Sequence, residues 1–409
     1  MNALRLSALL AFAVSVQAAD WPTFRGADRT DISKESGLLK KWPSAGPKQV
    51  WLYQDAGLGY AGYAIVGDTL YTMGARDAVE YVIAIDAATG KEKWSAEAGA
   101  LLTNGWGDGP RSTPTIDGGR VYALSGKGVL VCLNAADGKE IWRVTMESLG
   151  GKVPGWGYCE SPLVEGNLVI CTPGGPQGTL AAFDKVTGVK VWQSESWTDP
   201  AQYASAIAVD HNGARQLIQL TMQSIAGVNA VDGSLLWKSE FPGKTAVIPT
   251  PIFQDGQVFV TAGYGVGCKS IQVGPGNSVK DLYANTDLEN HHGGVVLVDG
   301  HLYGHSNRGG WTCMELKSGE VKWAEKAKLG KGAIHCADGM LYLLEEKTGT
   351  VVLLKASPRG WDEQGRFTLS PQTQLRNPKG MIWTHPVVSG GRLYLRDQEL
   401  LFCFDVSGR

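Results

Sequence analysis

No two cysteines are adjacent in this chain, and no C-x-x-C-H run occurs. The second absence excludes covalently attached haem. Charge of one sign is also missing. Lys and Arg number 38 against 40 Asp and Glu, a formal net charge of −2, with no block of like charge. Such a surface has no field to gather nucleic acid or anionic lipid, so neither is expected as a partner. The longest apolar run falls short of the roughly 20 residues that a membrane span needs. No phosphate loop, Ser-His-Asp spacing or carboxylate dyad stands out among the polar residues.

That apolar run lies at the start. Arg5 supplies a positive end, LSALLAFAVSV from Leu6 to Val16 a short apolar stretch, and Val16-Gln17-Ala18 a small-x-small cleavage site. This is the pattern of a secretory leader over residues 1–18, and it predicts export to the periplasm or beyond the cell. No cysteine follows the apolar stretch, so no lipid anchor is expected.

What the chain does have is repetition. A phrase of a small residue, an apolar residue, an acid or amide, a Gly-containing turn and a tryptophan recurs five times. It reads AIDAATGKEKW (Ala84 to Trp94), CLNAADGKEIW (Cys132 to Trp142), AFDKVTGVKVW (Ala182 to Trp192), GVNAVDGSLLW (Gly227 to Trp237) and CMELKSGEVKW (Cys313 to Trp323). The units open with hairpins such as PTIDGGRVY (Pro114 to Tyr122) and PIFQDGQVF (Pro251 to Phe259). Four short antiparallel strands in about 40–50 residues is the blade of a β-propeller. The 54 glycines suit so many tight turns.

Eight blades can be counted, with first strands near Gly62, Pro114, Pro162, Tyr203, Pro251, Gly294, Gly332 and Pro386. Blades five and seven are degenerate, and Tyr283 and Trp361 are expected at their closing aromatic positions. Residues run out after Phe404-Asp405, whereas PKQVWLY (Pro47 to Tyr53) resembles a fourth strand at the other end. The prediction is therefore an all-β, eight-bladed propeller over residues 48–409, its last blade closed by the N-terminal strand. Residues 19–47 are expected to form an extended arm packed across it. The ring uses the whole length, and a monomer is expected.

The recurring tryptophans read as structural, because a blade alone cannot bury both faces. The cysteines read likewise. Cys132, Cys313 and Cys403 share a column with Ala84, Ala182 and Gly227, and Cys268 is expected there too. A thiol that trades with Ala and Gly is a small buried strand residue. Seven is an odd number, so at least one thiol lacks an intramolecular partner.

Candidate site residues cluster in the loops leading into the first strands, which converge on the axis. WGDGPRSTP (Trp106 to Pro114) offers a stacking surface at Trp106 and a carboxylate- or phosphate-binding group at Arg111. GWGYCESP (Gly155 to Pro162) offers Trp156 and Glu160. Glu160 suits either a cation held through oxygen or an ion pair with Arg111. In NHHGG (Asn290 to Gly294), alternation along a strand would turn one of His291 and His292 to the axis and the other between blades. Lys331 and His385 hold similar positions, and Tyr203 and Trp383 add stacking surface.

The D-x-x-T/D-G-K-x-x-W phrase resembles the repeat of pyrroloquinoline-quinone (PQQ) dependent alcohol dehydrogenases, which also builds BamB-like propellers. WPTFRG, GDGPRSTP, GWGYCESP, NHHGG and LYLRDQ are similar to exported bacterial proteins of the BamB-like group. Two activities follow from the resemblance. One is a non-catalytic exported propeller holding a small molecule, glycan or protein at its funnel. The other is a dehydrogenase for alcohols or sugars. There PQQ would stack on Trp106 or Trp156, Glu160 would help hold calcium, and Asp108 would be the base. The quinoproteins are usually longer and often carry a vicinal disulfide, which this chain lacks.

Overall fold

The computed structural model describes residues 20–408, so the expected leader lies outside the described residues. Eight four-stranded antiparallel sheets form the ring. Blade 1 comprises Ala64–Val66, Thr69–Arg76, Val79–Asp86 and Glu92–Ala100. Blades 2 to 7 span 115–145, 163–193, 207–240, 252–285, 295–325 and 332–368. Blade 8 takes three strands from 387–405 and its outermost, Lys48–Tyr53, from the N-terminal side. The ring therefore closes as the sequence predicts, with Trp51 opposite Cys403. Among the described residues no helix is long and apolar enough to cross a membrane.

The repeated phrase works as a latch between blades. In blade 1 the Asp86 carboxylate accepts from the Thr89 N–H and hydroxyl at 2.8 and 2.7 Å, which shapes the turn. Past the turn, each tryptophan lies across from the small residue of its own blade, as in the pairs Ala84–Trp94, Cys132–Trp142 and Cys313–Trp323. Its indole N–H reaches the turn of the next blade. Trp94 donates to the Ala135 carbonyl at 3.1 Å, Trp142 to Lys185 at 3.3 Å and Trp192 to Ala230 at 3.2 Å. Trp51 donates to Ala87 at 2.9 Å across the closing seam. Trp237 is an exception and donates to Gln216 of its own blade at 2.8 Å. Apolar clusters fill every seam between neighbours, so stability resides between blades rather than within them.

The turn glycine serves this latch twice. Gly138 sits at φ +72°, and a Cβ there would come 2.6 Å from the Trp94 ring. Gly138→Ala is therefore expected to lose about 1–3 kcal/mol through strain and a displaced indole. A urea titration of both proteins checks this.

Two sequence expectations need correction. In blade 5 the column holds Ser270, opposite Phe259 and Tyr283, and Cys268 lies two residues earlier, opposite Thr261 and Asn285. Tyr283 does take the closing position, its hydroxyl donating to the Leu316 carbonyl at 2.7 Å. Blade 7 departs further. Leu353 fills its column and Gly365 the position opposite, so Trp361 is not the closing aromatic. Trp42 replaces it from outside the repeat. A Cβ on Gly365 would come 2.7 Å from that of Trp42, whose ring meets Tyr342 and Phe367 at 5.9 and 5.3 Å. The absent side chain at Gly365 makes room for a tryptophan supplied by the segment before the ring.

Residues 21–33 cross the ring axis. Trp21 bridges Ile65 of blade 1, and the Ile116 N–H of blade 2 donates to the Pro22 carbonyl at 2.8 Å. Arg29 is buried and donates to the carbonyls of Ser161 at 3.0 Å, Pro162, and Ala206 at 2.9 Å, on blades 3 and 4. Arg25 reaches Val295 of blade 6 at 2.6 Å. Ile32–Ser33 then pairs parallel to the inner strand of blade 7 at Cys336–Ala337.

Candidate functional site

Loops from all eight blades converge on one cavity of about 400 Å³. Gly62, Arg111, Ser161, Ser205, Thr250, Gly294, Lys331 and His385 line it in blade order. Phe24 and Arg25 of the crossing segment line it as well, so the channel is closed at one end. A stitch repeats around its wall. The Gly62 N–H donates to the Thr113 hydroxyl at 3.0 Å, the Thr113 N–H to Ser161 at 3.0 Å, and the Ser161 N–H to Ser205 at 2.9 Å. The stitch has a trace in the sequence, a hydroxyl residue directly before Pro114 and before Pro162, which the repeat alone does not pick out.

Of the residues expected at the site, Trp106, Arg111, Trp156, His291, His292, Lys331 and His385 line the cavity, as do Tyr203 and Trp383. Asp108 and Glu160 do not. Asp108 stays in its own loop, accepting the Asn104 N–H at 2.7 Å. Glu160 is buried in the wall, accepting from the Thr172 N–H and, at 2.6 Å, its hydroxyl. Arg111 does not meet Glu160. It donates to the carbonyls of Gly107 at 2.6 Å and Gly109 at 2.8 Å, and lies over the Tyr60 ring.

His291 and His292 lie in a bend ahead of the first strand of blade 6, so strand alternation does not govern them and both face the cavity. Around them runs a network that sequence reading missed, because its hub, Glu346, follows the second strand of blade 7, Met340–Glu345, instead of preceding a first strand. Glu346 pairs with His292 Nε2 at 2.6 Å and Lys331 Nζ at 3.2 Å, and accepts from the Trp383 indole at 3.2 Å. Lys331 also bonds to His291 Nδ1 at 3.1 Å, and His291 Nε2 to the Tyr264 hydroxyl at 2.8 Å. Burial opposes the Glu346 charge, but the His292 contact and the Lys331 ammonium hold its carboxyl down at about 2. Burial, with Lys331 beside it, pushes His291 down to about 3, so its ring is neutral. His385 extends the network downwards, meeting the His292 carbonyl at 3.0 Å and Asp31 Oδ2 at 3.3 Å. Asp31 also holds His335 at 2.9 Å and Arg25 at 3.4 Å.

The buried Glu160 carries a pH prediction. Burial raises its carboxyl to about 7, although the Thr172 bonds and the Arg29 charge pull the other way. A folded-state value above the ordinary 4.5 means that the folded chain binds the proton more tightly. Its contribution is then full below pH 4.5 and is lost as pH rises through 7. Glu160→Gln should abolish that dependence, on the order of 2–3 kcal/mol, and be the more stable protein at pH 8. Melting temperatures across pH 4–8 read this directly.

Calcium takes six or more oxygen ligands. Among the described residues Glu346 is the single carboxylate lining the cavity, and both its oxygens are already engaged. No group of three or more His, Cys, Asp or Glu is placed to hold a metal among the described residues. The donor set does not fit a calcium-bound quinone.

Fold and site define a propeller of the PQQ-repeat class with one end of its channel sealed. Residues 48–325 match the family described as outer membrane protein assembly factor BamB, and the chain belongs to that family. BamB from Salmonella typhimurium is 26% identical over 298 residues, covering 68% of this chain and 69% of that protein. Among solved structures, BamB from Moraxella catarrhalis superposes with a TM-score of 0.65 at 17% identity, covering 89% of this chain and 99% of its own. Quinohemoprotein alcohol dehydrogenase from Comamonas testosteroni superposes at 0.64 and 12% identity, covering 97% and 82%. Both structural likenesses show the fold alone.

Proposed function

We propose that this chain is an exported, non-catalytic propeller that holds a small molecule in its central funnel. The observation that carries the reading is the cavity itself. Its volume is in the range of small-molecule sites, its walls come from every blade, and the segment 21–33 closes one end. A protein partner docking on a flat face needs no such enclosure. Aromatic groups dominate the lining, with Tyr60 and Trp383 in tilted contact at 5.2 Å and Trp156 and Tyr203 edge to face at 5.8 Å. The leader pattern supports export, as do relatives named as outer membrane protein assembly factors.

Non-catalytic binding is favoured over dehydrogenation because the side chains best suited to acid–base work are engaged with one another. Glu346, Lys331 and His291 form a closed, compensated chain, and Asp108 points elsewhere. Native mass spectrometry of the mature chain recovered from the exported fraction tests the proposal. One adduct per chain is expected, lost when Ala246, which lines the cavity, is replaced by tryptophan. A chain without adduct would contradict it. So would stoichiometric, calcium-dependent PQQ binding, which would point to the dehydrogenase.

A further inference from the structure

The cavity holds far more hydrogen-bond donors than acceptors. Arg111 and Lys379 both line it, and neither has a carboxylate within 4.0 Å among the described residues, unlike Lys331. Arg111 is held in place by two backbone carbonyls and the Tyr60 ring at 5.1 Å. Lys379 stands 5.9 Å above the Trp106 ring, and the Tyr60 hydroxyl donates to the Trp106 carbonyl at 3.3 Å, so the two cations share one side of the funnel. The hydroxyls of Thr113, Ser161 and Ser205 each accept a neighbour's N–H and donate to no acceptor among the described residues, which leaves their protons for the cavity. On the acceptor side stands Glu346, already engaged three times.

A guanidinium fixed beside aromatic rings with no carboxylate in contact gains charge-assisted hydrogen bonds when an anion completes it. From this imbalance we infer that the funnel's ligand is a small organic carboxylate on a ring. Its charged group would meet Arg111 and Lys379, and its ring would lie against Trp383 or Trp156. The inference rests on the funnel reading and adds the ligand's chemistry. Lys379 adds a point charge, and each terminal nitrogen of Arg111 keeps a second N–H, beyond those given to Gly109 and Gly107, for the oxygens of a carboxylate.

Three probes test it by calorimetry on the mature chain: 2-naphthoate, its neutral amide 2-naphthamide, and glucuronate. The expected result is that naphthoate binds at least about ten-fold more tightly than the amide, with an advantage that shrinks as salt rises. Arg111→Gln should remove that advantage while leaving amide binding within about two-fold. Because Arg111 also ties its own loop, Lys379→Gln at the exposed rim serves as the second variant, with an expected loss of about three-fold. Glucuronate binding more tightly than naphthoate would keep the carboxylate and make the ring a sugar. Equal affinity for naphthoate and amide would overturn the inference and leave the funnel reading standing. Failure of both acids to bind would also overturn it, and the funnel reading would fall with it only if the mass spectrum showed no adduct.

Discussion

Trp42→Ala should lower stability by about 3–5 kcal/mol, the cost of truncating a large buried aromatic. Trp361→Ala should cost about 1 kcal/mol or less, as for a side chain only partly withdrawn from water. Counting repeats leads to the opposite expectation, since Trp361 lies nearer the position where the phrase ends. The structure reverses the order. Trp42 is 4% exposed and belongs to the apolar cluster shared by blades 7 and 8, with Tyr342, Leu353 and Phe402. Trp361 is half-buried and makes one indole bond to Glu363, two residues away. Trp42 also ties its backbone N–H to the Gln364 carbonyl at 3.0 Å, so its loss frees the segment that leads into the closing strand. Urea unfolding midpoints for the two variants decide the matter. Equal losses would mean that Trp42 is not the closing aromatic of blade 7.

Arg29→Ala should have the second large effect, through the floor of the funnel. Its guanidinium serves carbonyls from two blades and the Thr23 hydroxyl at 3.2 Å, all in buried surroundings. Burial depresses the arginine to about 10, so it keeps its charge at neutral pH. An alanine takes this donor from the Ser161 and Ala206 carbonyls, at about 1–3 kcal/mol for each group that water cannot reach, while the Pro162 carbonyl keeps the Thr115 hydroxyl and Thr23 keeps its bond to Thr115. What then holds the segment is the bridge at Trp21, the Ile116–Pro22 bond, the Arg25 and Asp31 contacts and the two-residue strand Ile32–Ser33. The expected result is a folded ring with the segment 21–33 detached, protease-sensitive ahead of Lys48, and unable to retain a funnel ligand. Unchanged proteolysis and unchanged ligand retention would show that the segment is held by other contacts. Arg29→Lys should restore part of the effect, since one ammonium can reach some of the same carbonyls but lacks the fork.

The ring was legible because its signal is periodic. Six of the eight closing positions carry tryptophan, and each sits where the phrase places it. Blade 7 was not, because Gly365 is silent in sequence and its partner, Trp42, lies some 320 residues away, a pairing no local pattern encodes. Cys268 was misplaced by two residues for a related reason: Ser270, the true column residue, is as small as the residues it stands beside. The funnel loops were legible as a class, since Trp106, Arg111, Trp156, Lys331 and His385 all precede first strands. Glu346 was not, because it follows Glu345 in a run that reads as an ordinary polar turn. Direction was the harder problem. Glu160 and Arg111 occupy related positions on adjacent blades, yet one side chain enters the wall and the other the cavity, and only the Thr172 and Gly107 contacts explain the difference.

The claim on which site, ligand and floor all depend is that the segment 21–33 seals the channel. Hydrogen–deuterium exchange of the mature chain measures this at named amides. Those of Trp21, Ile116 and Cys336 donate to Ile65, Pro22 and Asp31 between the segment and the blades, and that of Asp31 donates to Arg25 within the segment. The account predicts that they exchange as slowly as the inner strands of the blades, and more slowly still with a ligand in the funnel. Exchange of these four amides at the rate of an unstructured chain, with the blades protected, would mean an open channel and would contradict it.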